Sequence, residues 1–126
     1  MSEIIGIGMD LCAISRMEKA IQKAHFYERV FFEEERAYLE AKENARAQSA
    51  AAMFAAKEAV SKALGTGFIH GIMPWTIEVT HDEDGRPGVA LHGAAMEKLK
   101  SIGGKRVHLS LTHEGDTAMA FVIVEG

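Results

Sequence analysis

An alanine-rich stretch in the middle of the chain constrains the fold more than any other part of the sequence. Ten of the 23 residues between Ala41 and Ala63 are alanine, and the stretch contains neither glycine nor proline. Alanine has the highest intrinsic helix propensity, whereas glycine and proline are the residues that interrupt helices. The sequence therefore predicts a long helix over 41–63, which stops at the glycines of the segment 65–67.

One side of this predicted helix is apolar and should face the core. Met53, Ala56, Val60 and Leu64 recur at spacings of three and four residues, which places them on one helical face. The chain has 126 residues, of which 48% are hydrophobic and 25% charged, as in ordinary globular domains. A chain of this length buries enough surface for one core, so we expect a single domain over residues 1–126.

A buried strand is predicted near the start of the chain, over Ile4–Leu11. One face of this strand is entirely apolar and consists of Ile5, Ile7, Met9 and Leu11. The other face carries Gly6, Gly8 and the strand-end Asp10. Because glycine has no side chain, we expect a second backbone or a ligand to approach this face closely.

Short helices are predicted next, and hairpins follow in the second half of the chain. Ser15 and Glu18 have the spacing of a capping box for a helix over 16–25, and a second helix is expected over 33–43. Strands are expected over 75–80, 88–92, 107–113 and 117–124, with a helix over 94–102. Tight hairpins require antiparallel pairing, so the predicted fold class is α+β, an antiparallel sheet of hairpins packed against the long helix and shorter helices.

Composition and charge argue against several classes of protein. The formal net charge is −4, whereas general nucleic-acid binders carry a basic surplus, so we expect no nucleic-acid partner. The longest uncharged stretch, 63–77, is too short and too rich in glycine to span a bilayer, and the N-terminus lacks the pattern of a signal peptide. The single cysteine, Cys12, fits a reducing compartment. We therefore expect a cytoplasmic protein with no membrane segment.

Common catalytic motifs fail on spacing. Gly6 and Gly8 lack the third glycine of the dinucleotide fingerprint, and the chain contains neither a GxxxxGK[ST] phosphate loop nor a GxSxG nucleophile elbow. Six histidines are scattered along the chain without an HExxH pair, so a zinc site is not expected.

Three charged residues remain as candidates for chemistry. Glu58 and Lys62 lie one turn apart on the long helix, with Ser61 and Phe54 beside them, on a face largely opposite the apolar stripe. Ordinary surface ion pairs have the same spacing. Asp10 ends an apolar strand, where a carboxylate needs a partner, water or a metal ion, unless it caps the next helix. Oxygens of Asp10 and Glu58, completed by water and phosphate, suit Mg²⁺, and Lys62 would then hold a phosphate.

The segment HLSLTH places hydroxyl groups and a histidine at a strand end. Ser110 and Thr112 share one face of the strand, and His113 begins the turn. These side chains are either donors to a phosphate or simply the exposed end of a hairpin.

Six segments resemble one known family along essentially the whole chain. In order they are GIGMDL, ERVFFEEE, FAAKEAVSKALGTG, WTIEV, DGRPGVAL and HLSLTHEGDTAMAFVIVE. Together they resemble the holo-[acyl-carrier-protein] synthases, the small bacterial type of 4′-phosphopantetheinyl transferase. The resemblance implies a Mg²⁺-dependent enzyme that transfers phosphopantetheine from coenzyme A to a serine of apo acyl carrier protein and releases adenosine 3′,5′-bisphosphate.

The resemblance also implies roles for individual residues. Asp10 and Glu58 match the Mg²⁺ ligands of the family, and Lys62 matches the lysine that contacts the pyrophosphate. These three residues would carry the reaction. The positions that match the coenzyme site are Ser61, Gly65 and His113.

One position departs from the family pattern. Many members have arginine directly before the Phe-Ala-Ala-Lys-Glu run, where this chain has Met53. Lys42 and Arg46, upstream on the same predicted helix, are candidates for contact with the 3′-phosphate of the coenzyme. Solvated helix charges are the alternative interpretation of these two residues.

The resemblance implies two kinds of protein partner. The family is typically a homotrimer with coenzyme sites between protomers, and the apolar last strand, TAMAFVIV, is compatible with such an assembly. Its first helix contacts an acidic helix of the carrier protein. Residues 13–32 have a local charge balance of +2, and the expected docking residues are Arg16, Lys19 and Lys23.

Two other functions remain open at this stage. A non-catalytic module that binds coenzyme A or a protein would use Glu58 and Lys62 only as a surface pair. A related transferase would serve a specialised synthase rather than a general fatty-acid carrier.

Overall fold

The computed structural model describes residues 2–126, and this part of the chain forms five α-helices and five β-strands. In chain order these are β1 (Ile4–Ala13), α1 (Ile14–Ala20), α2 (Ala24–Val30), α3 (Glu33–Ala41), α4 (Arg46–Ala63), β2 (Ile77–His81), β3 (Pro87–Leu91), α5 (Gly93–Ser101), β4 (Arg106–Glu114) and β5 (Thr117–Glu125). Short 3₁₀ turns precede α4 and β2.

The strands form two antiparallel sheets. The larger sheet has the order β1–β5–β4, so the last strand lies in the middle and pairs with the first. In this register Phe121 on β5 lies between Met9 on β1 and Ser110 on β4. The hairpin of β2 and β3 forms the second sheet. The predicted α+β class with antiparallel hairpins is therefore confirmed.

Helix α4 packs on the inner face of the larger sheet. The predicted core stripe of Met53, Ala56, Val60 and Leu64 is buried, as expected from its spacing. On β1, a Cβ atom at Gly6 would collide with the carbonyl oxygen of Ala63, and one at Gly8 with that of Ala59. The glycines thus allow the strand backbone to lie directly against the helix backbone, and this contact orients β1.

The expected approach of a second backbone to the glycine face of β1 is confirmed, but the strand predicted to be buried is buried on that face only. Ile7, Met9 and Leu11 are 62%, 55% and 60% exposed. The glycine face packs on α4, and side chains on a strand alternate, so these apolar residues must point outward. They form one continuous surface with alternate residues of β5, here called the outer sheet face and defined as Ile7, Met9, Leu11, Met119, Phe121 and Ile123.

The predicted capping box at Ser15 does not form. Ala13 is the N-cap of α1, and Ser15 instead donates from its hydroxyl and its backbone N–H to the carboxylate of Asp116, at 2.6 and 2.9 Å. The predicted helix over 16–25 also ends early, because the chain turns after Ala20 and a separate helix, α2, follows.

Several element boundaries differ from the predicted ones by a few residues. The alanine-rich helix begins at Arg46 rather than 41, since residues 43–45 form a 3₁₀ turn in which Glu43 has a φ of 49°. Strand β2 begins two residues later than predicted, because Pro74–Thr76 forms another such turn. None of the helices in residues 2–126 combines the length and apolarity needed to cross a membrane.

Candidate active site

The site centres on the point where the end of β1 meets the C-terminal half of α4. Lys62 donates from Nζ to Asp10 Oδ1 at 3.1 Å and to the Met9 carbonyl at 3.4 Å. The Asp10 side chain is 16% exposed and that of Lys62 is 50% exposed. Asp10 on the glycine face of β1 is therefore paired with the helix, and it caps no helix because Ala13 occupies the N-cap of α1. Lys62 therefore has an ion-pair partner on β1, whereas an ordinary surface pair would involve only Glu58 on its own helix.

Asp10 and Glu58 form a coupled pair of carboxyl groups. Burial, together with a hydrogen bond to Asp10 and the charge of Asp10, raises the pKa of Glu58 to about 7. Burial alone would raise the pKa of Asp10, but its hydrogen bonds with Glu58 and Lys62 outweigh this and lower it. Asp10 therefore ionises first, and the pair keeps one proton, on Glu58, until near-neutral pH.

This pair has the chemistry to hold a divalent cation. Two carboxylates that are forced together repel once both are ionised, and a cation between them would remove that repulsion. Among residues 2–126 there is no group of three or more His, Cys, Asp or Glu side chains that could hold a metal ion. A hard cation that keeps several water or phosphate ligands, as Mg²⁺ does, fits a site with only two protein carboxylates.

Ser61 and Gly65 lie at the same end of α4 but differ in exposure. Ser61 is 1% exposed and its hydroxyl donates to the Glu58 carbonyl at 2.6 Å. The prediction that Ser61 lies on the exposed face of α4, beside Glu58 and Lys62, is therefore wrong. Gly65 follows the helix with a φ of 90° and is exposed, with open space around its Cα. A positive φ suits glycine, which lets the helix end here and leaves the backbone accessible beside Lys62.

The structure does not bring His113, Lys42 or Arg46 to the carboxylate pair of the same chain. His113 Nε2 lies 3.1 Å from Nε2 of Gln48, which precedes Glu58 on α4 by ten residues, or about 15 Å of helix. The Arg46 guanidinium lies over the Tyr27 ring, 5.1 Å from its centroid. The ammonium of Lys42 lies 4.7 Å from the centroid of the Tyr38 ring.

The three expected docking residues are all exposed. Arg16 and Lys19 belong to α1, whereas Lys23 follows that helix as the N-cap of α2. Burial raises the pKa of Cys12, and the positive charge of Arg16 opposes this shift. Arg16 is therefore near the end of β1 that also carries Asp10.

Sequence reasoning missed Lys57, the residue next to Glu58. Its side chain is fully buried and donates to Glu35 Oε1 at 2.8 Å, to the Ile77 carbonyl at 2.6 Å and to the Pro74 carbonyl at 3.1 Å. A signal for it was present, because Lys57 lies four residues after Met53 and three before Val60. A lysine on an apolar helical stripe requires a buried partner.

Comparisons with known proteins agree with these features. The sequence model of the 4′-phosphopantetheinyl transferase superfamily matches residues 6–122. A holo-[acyl-carrier-protein] synthase of Treponema denticola is 48% identical and is matched over 98% of this chain and 99% of its own length. The crystal structure of the synthase from Neisseria meningitidis superposes with a TM-score of 0.85 at 34% identity, over 98% of this chain and 100% of that one.

A further solved structure contains the coenzyme. The synthase from Bacillus anthracis, in complex with CoA (3′,5′-ADP), has a TM-score of 0.81 at 35% identity and covers 98% of this chain and 97% of its own. Sequence, length and fold agree along nearly the whole molecule, as the motifs predicted, and the chain belongs to the holo-[acyl-carrier-protein] synthase family of 4′-phosphopantetheinyl transferases.

Proposed function

We propose that this protein transfers the 4′-phosphopantetheine group of coenzyme A to a serine hydroxyl of an apo acyl carrier protein and releases adenosine 3′,5′-bisphosphate. The observation that carries the proposal is the meeting of Asp10, Glu58 and Lys62 at one point in a chain that matches synthases of this name over nearly its whole length. Two carboxyl groups beside one positively charged lysine suit phosphoryl transfer, in which positioning and charge neutralisation supply most of the catalysis.

Each of the three side chains has a role in this reaction. Asp10 and Glu58 would hold Mg²⁺, which when bound neutralises charge on the pyrophosphate and stabilises the departing phosphate. Lys62 contacts the pyrophosphate as a point charge. The serine oxygen bonds to the β-phosphorus as the P–O bond to the nucleotide breaks. The carboxylate of Asp10 or that of Glu58 would accept the serine proton.

A mass measurement tests this function. The protein, coenzyme A and Mg²⁺ should add one phosphopantetheine to an apo carrier protein, and Asp10→Asn or Glu58→Gln should lower the rate by at least about 100-fold. Glu97→Gln, an exposed acid on α5, is the matched control and should transfer normally. Binding of coenzyme A without any mass gain on several carriers would instead favour a non-catalytic binding module.

The preferred carrier is a separate question from the reaction. Competition between a fatty-acid carrier and a specialised synthase carrier in one mixture distinguishes a general enzyme from a dedicated one.

We further propose that the outer sheet face joins three copies of the chain, with sites between protomers. Three of its side chains are more than half exposed on one strand alone, and such apolar surfaces usually mark interfaces. The coenzyme contacts assigned to His113, Lys42 and Arg46 would then be made in the site of a neighbouring protomer. The distance between His113 and the carboxylates of its own chain supports this arrangement.

Docking of the carrier is assigned to Arg16, Lys19 and Lys23. They are exposed and lie in a segment with a charge balance of +2, on a chain whose net charge is −4. The proximity of Arg16 to the end of β1 would place a bound acidic carrier beside Asp10. We also propose that residues 1–126 act as a single domain and that the protein works in the cytoplasm, where its free Cys12 stays reduced.

A further inference from the structure

The buried pair of Lys57 and Glu35 is fully satisfied by hydrogen bonds. The three hydrogens of the Lys57 ammonium meet three acceptors, which are Glu35 and the carbonyls of Pro74 and Ile77. Besides Lys57, the Glu35 carboxylate accepts from the backbone N–H of Phe32 at 2.8 Å and of Val79 at 2.7 Å. Both side chains are 0% exposed.

This network connects three separate parts of the chain. Glu35 lies in the first turn of α3 and Lys57 in the middle of α4. Both carbonyl acceptors and the N–H of Val79 belong to the segment 74–79. The ammonium also lies 5.1 Å from the ring centroid of Phe32 and 5.8 Å from that of Phe31. Because hydrogen bonds are directional, such a network fixes the rotation of α4 about its axis more strictly than apolar packing does.

Glu58, which belongs to α4, lies between this network and a second contact of the same helix. Residues advance by about 100° around a helix, so Lys57 and Ala59 lie on nearly opposite sides, with Glu58 between them. The Ala59 side is held by the backbone of β1 at Gly8, and the same strand carries Asp10. Lys57 holds the other side. The two contacts together determine where Glu58 lies relative to Asp10.

We propose that Lys57, paired with Glu35, is a positioning residue for the transfer reaction, holding α4 in the rotation that sets Glu58 against Asp10. This inference rests on the proposed function of the Asp10–Glu58 pair. A stability role alone explains the network poorly, because replacing a buried ion pair by uncharged residues of similar size is often neutral or stabilising.

The decisive variant is Lys57→Met/Glu35→Gln, which removes both charges and keeps most of the volume. We expect it to fold, with kcat lowered about 10- to 100-fold and KM for coenzyme A changed by less than about threefold. Affinity for Mn²⁺, followed by electron paramagnetic resonance with coenzyme A present, should also fall about tenfold or more.

Val60→Ala is the matched control. It creates a cavity beneath the same helix without touching the network, and it should lower the melting temperature while leaving kcat and Mn²⁺ affinity near those of the unaltered protein. Wild-type kcat in the double variant, or losses no greater than those of Val60→Ala, would overturn the proposal.

Two further results separate the possible failures. If the double variant does not fold, Glu35→Asp decides, since it keeps both charges but shortens the side chain that reaches Lys57, and a kcat loss that exceeds that of Val60→Ala is expected. If the unaltered protein transfers the group but binds no Mn²⁺, the assignment of the metal ligands fails. The comparison of kcat between the variants then still tests the positioning role of Lys57. If the unaltered protein transfers nothing, the proposed function itself has failed.

Discussion

At the scale of single residues, Asp10 and Glu58 share one proton that neither group would hold alone at neutral pH. The effect arises because both carboxyl groups are partly removed from water and one is hydrogen-bonded to the other. The single positive charge of Lys62 balances one ionised carboxylate but not two. In the proposed mechanism, the second ionisation would prepare the pair for a divalent cation.

Folding stability without metal should depend on the ionisation of Glu58. The pKa of Glu58 rises from an ordinary value of 4.5 to about 7 on folding, so the folded state binds more protons between these pH values. Stability in EDTA should therefore fall as pH rises from about 4.5 to 7, and Glu58→Gln should remove this part of the fall. Thermal unfolding at half-unit pH steps checks it, and unchanged pH curves in the variant would contradict the assignment.

At the scale of secondary structure, the contact between β1 and α4 positions the site. The absence of side chains at Gly6 and Gly8 allows the two backbones to touch, and this places Asp10 within reach of Lys62. The alanines of α4 contribute in the same way, because their small side chains let the sheet approach along the whole helix.

Gly8→Ala should therefore lower the stability of the folded protein. The new methyl group would collide with the Ala59 carbonyl, which belongs to the helix backbone and cannot rotate away, so we expect a loss of about 1–3 kcal/mol or more of unfolding free energy. Gly88→Ala on β3 is the control, because its methyl group would meet only the Thr80 hydroxyl, at 3.0 Å. Chemical denaturation of both variants measures the difference, and equal losses would contradict a special role for the β1 contact.

Elements governed by local interactions were predictable, and those governed by distant contacts were not. Helix α4 follows from alanine propensity, and the β4–β5 hairpin follows from its alternating pattern. The N-terminus of α1 could not be predicted, because Ser15 bonds to Asp116, which is 101 residues away. The orientation of β1 was ambiguous, since one face offered large apolar groups and the other close backbone contact.

The same distinction applies to the candidate site. Asp10, Glu58 and Lys62 could be singled out because a carboxylate at an apolar strand end and a pair one helical turn apart are visible in the sequence. The burial of Ser61 could not be predicted, because the buried face of α4 is wider than the stripe of Met53, Ala56, Val60 and Leu64. Lys57 lies on that stripe, but the partner that allows its burial, Glu35, is 22 residues away in the sequence.

At the scale of the whole molecule, charge is distributed unevenly. Five acids lie between Glu33 and Glu43 and four between Glu78 and Asp84, whereas the segment around α1 is basic. An acidic partner is therefore attracted to one side of an acidic protein.

Reversing one charge on that side tests the docking surface. Arg16→Glu should weaken carrier binding about tenfold at low salt, with a smaller effect at high salt, because exposed charges are screened. Lys100→Glu, exposed near the end of α5, makes the same charge change elsewhere and should have little effect. Isothermal titration with apo carrier protein gives both affinities, and identical values for the two variants would refute the assignment to Arg16.

Mixing two inactive variants tests sites shared between protomers. In a trimer assembled at random from equal amounts of Asp10→Asn and His113→Ala chains, about a quarter of the interfaces combine an intact Asp10 with an intact neighbouring His113. Transfer activity should then rise toward a quarter of the normal value after subunit exchange, and sedimentation should report three copies. If no activity returns in mixed trimers, both residues belong to one chain's site.

The pairing of the first strand with the last also determines the order in which the molecule can be built. Glu125 lies opposite Ile4, so the sheet closes across nearly the entire sequence, whereas the hydrogen bonds of α4 are local. Long-range closure is slow because chain entropy is lost before any contact is gained. On the ribosome, α4 can form early, but β1 has no strand beside it until the end of the chain emerges. The hydrogen-bonding edge of β1 therefore stays unpaired until β5 has been synthesised, and over that interval the nascent protein needs protection from aggregation.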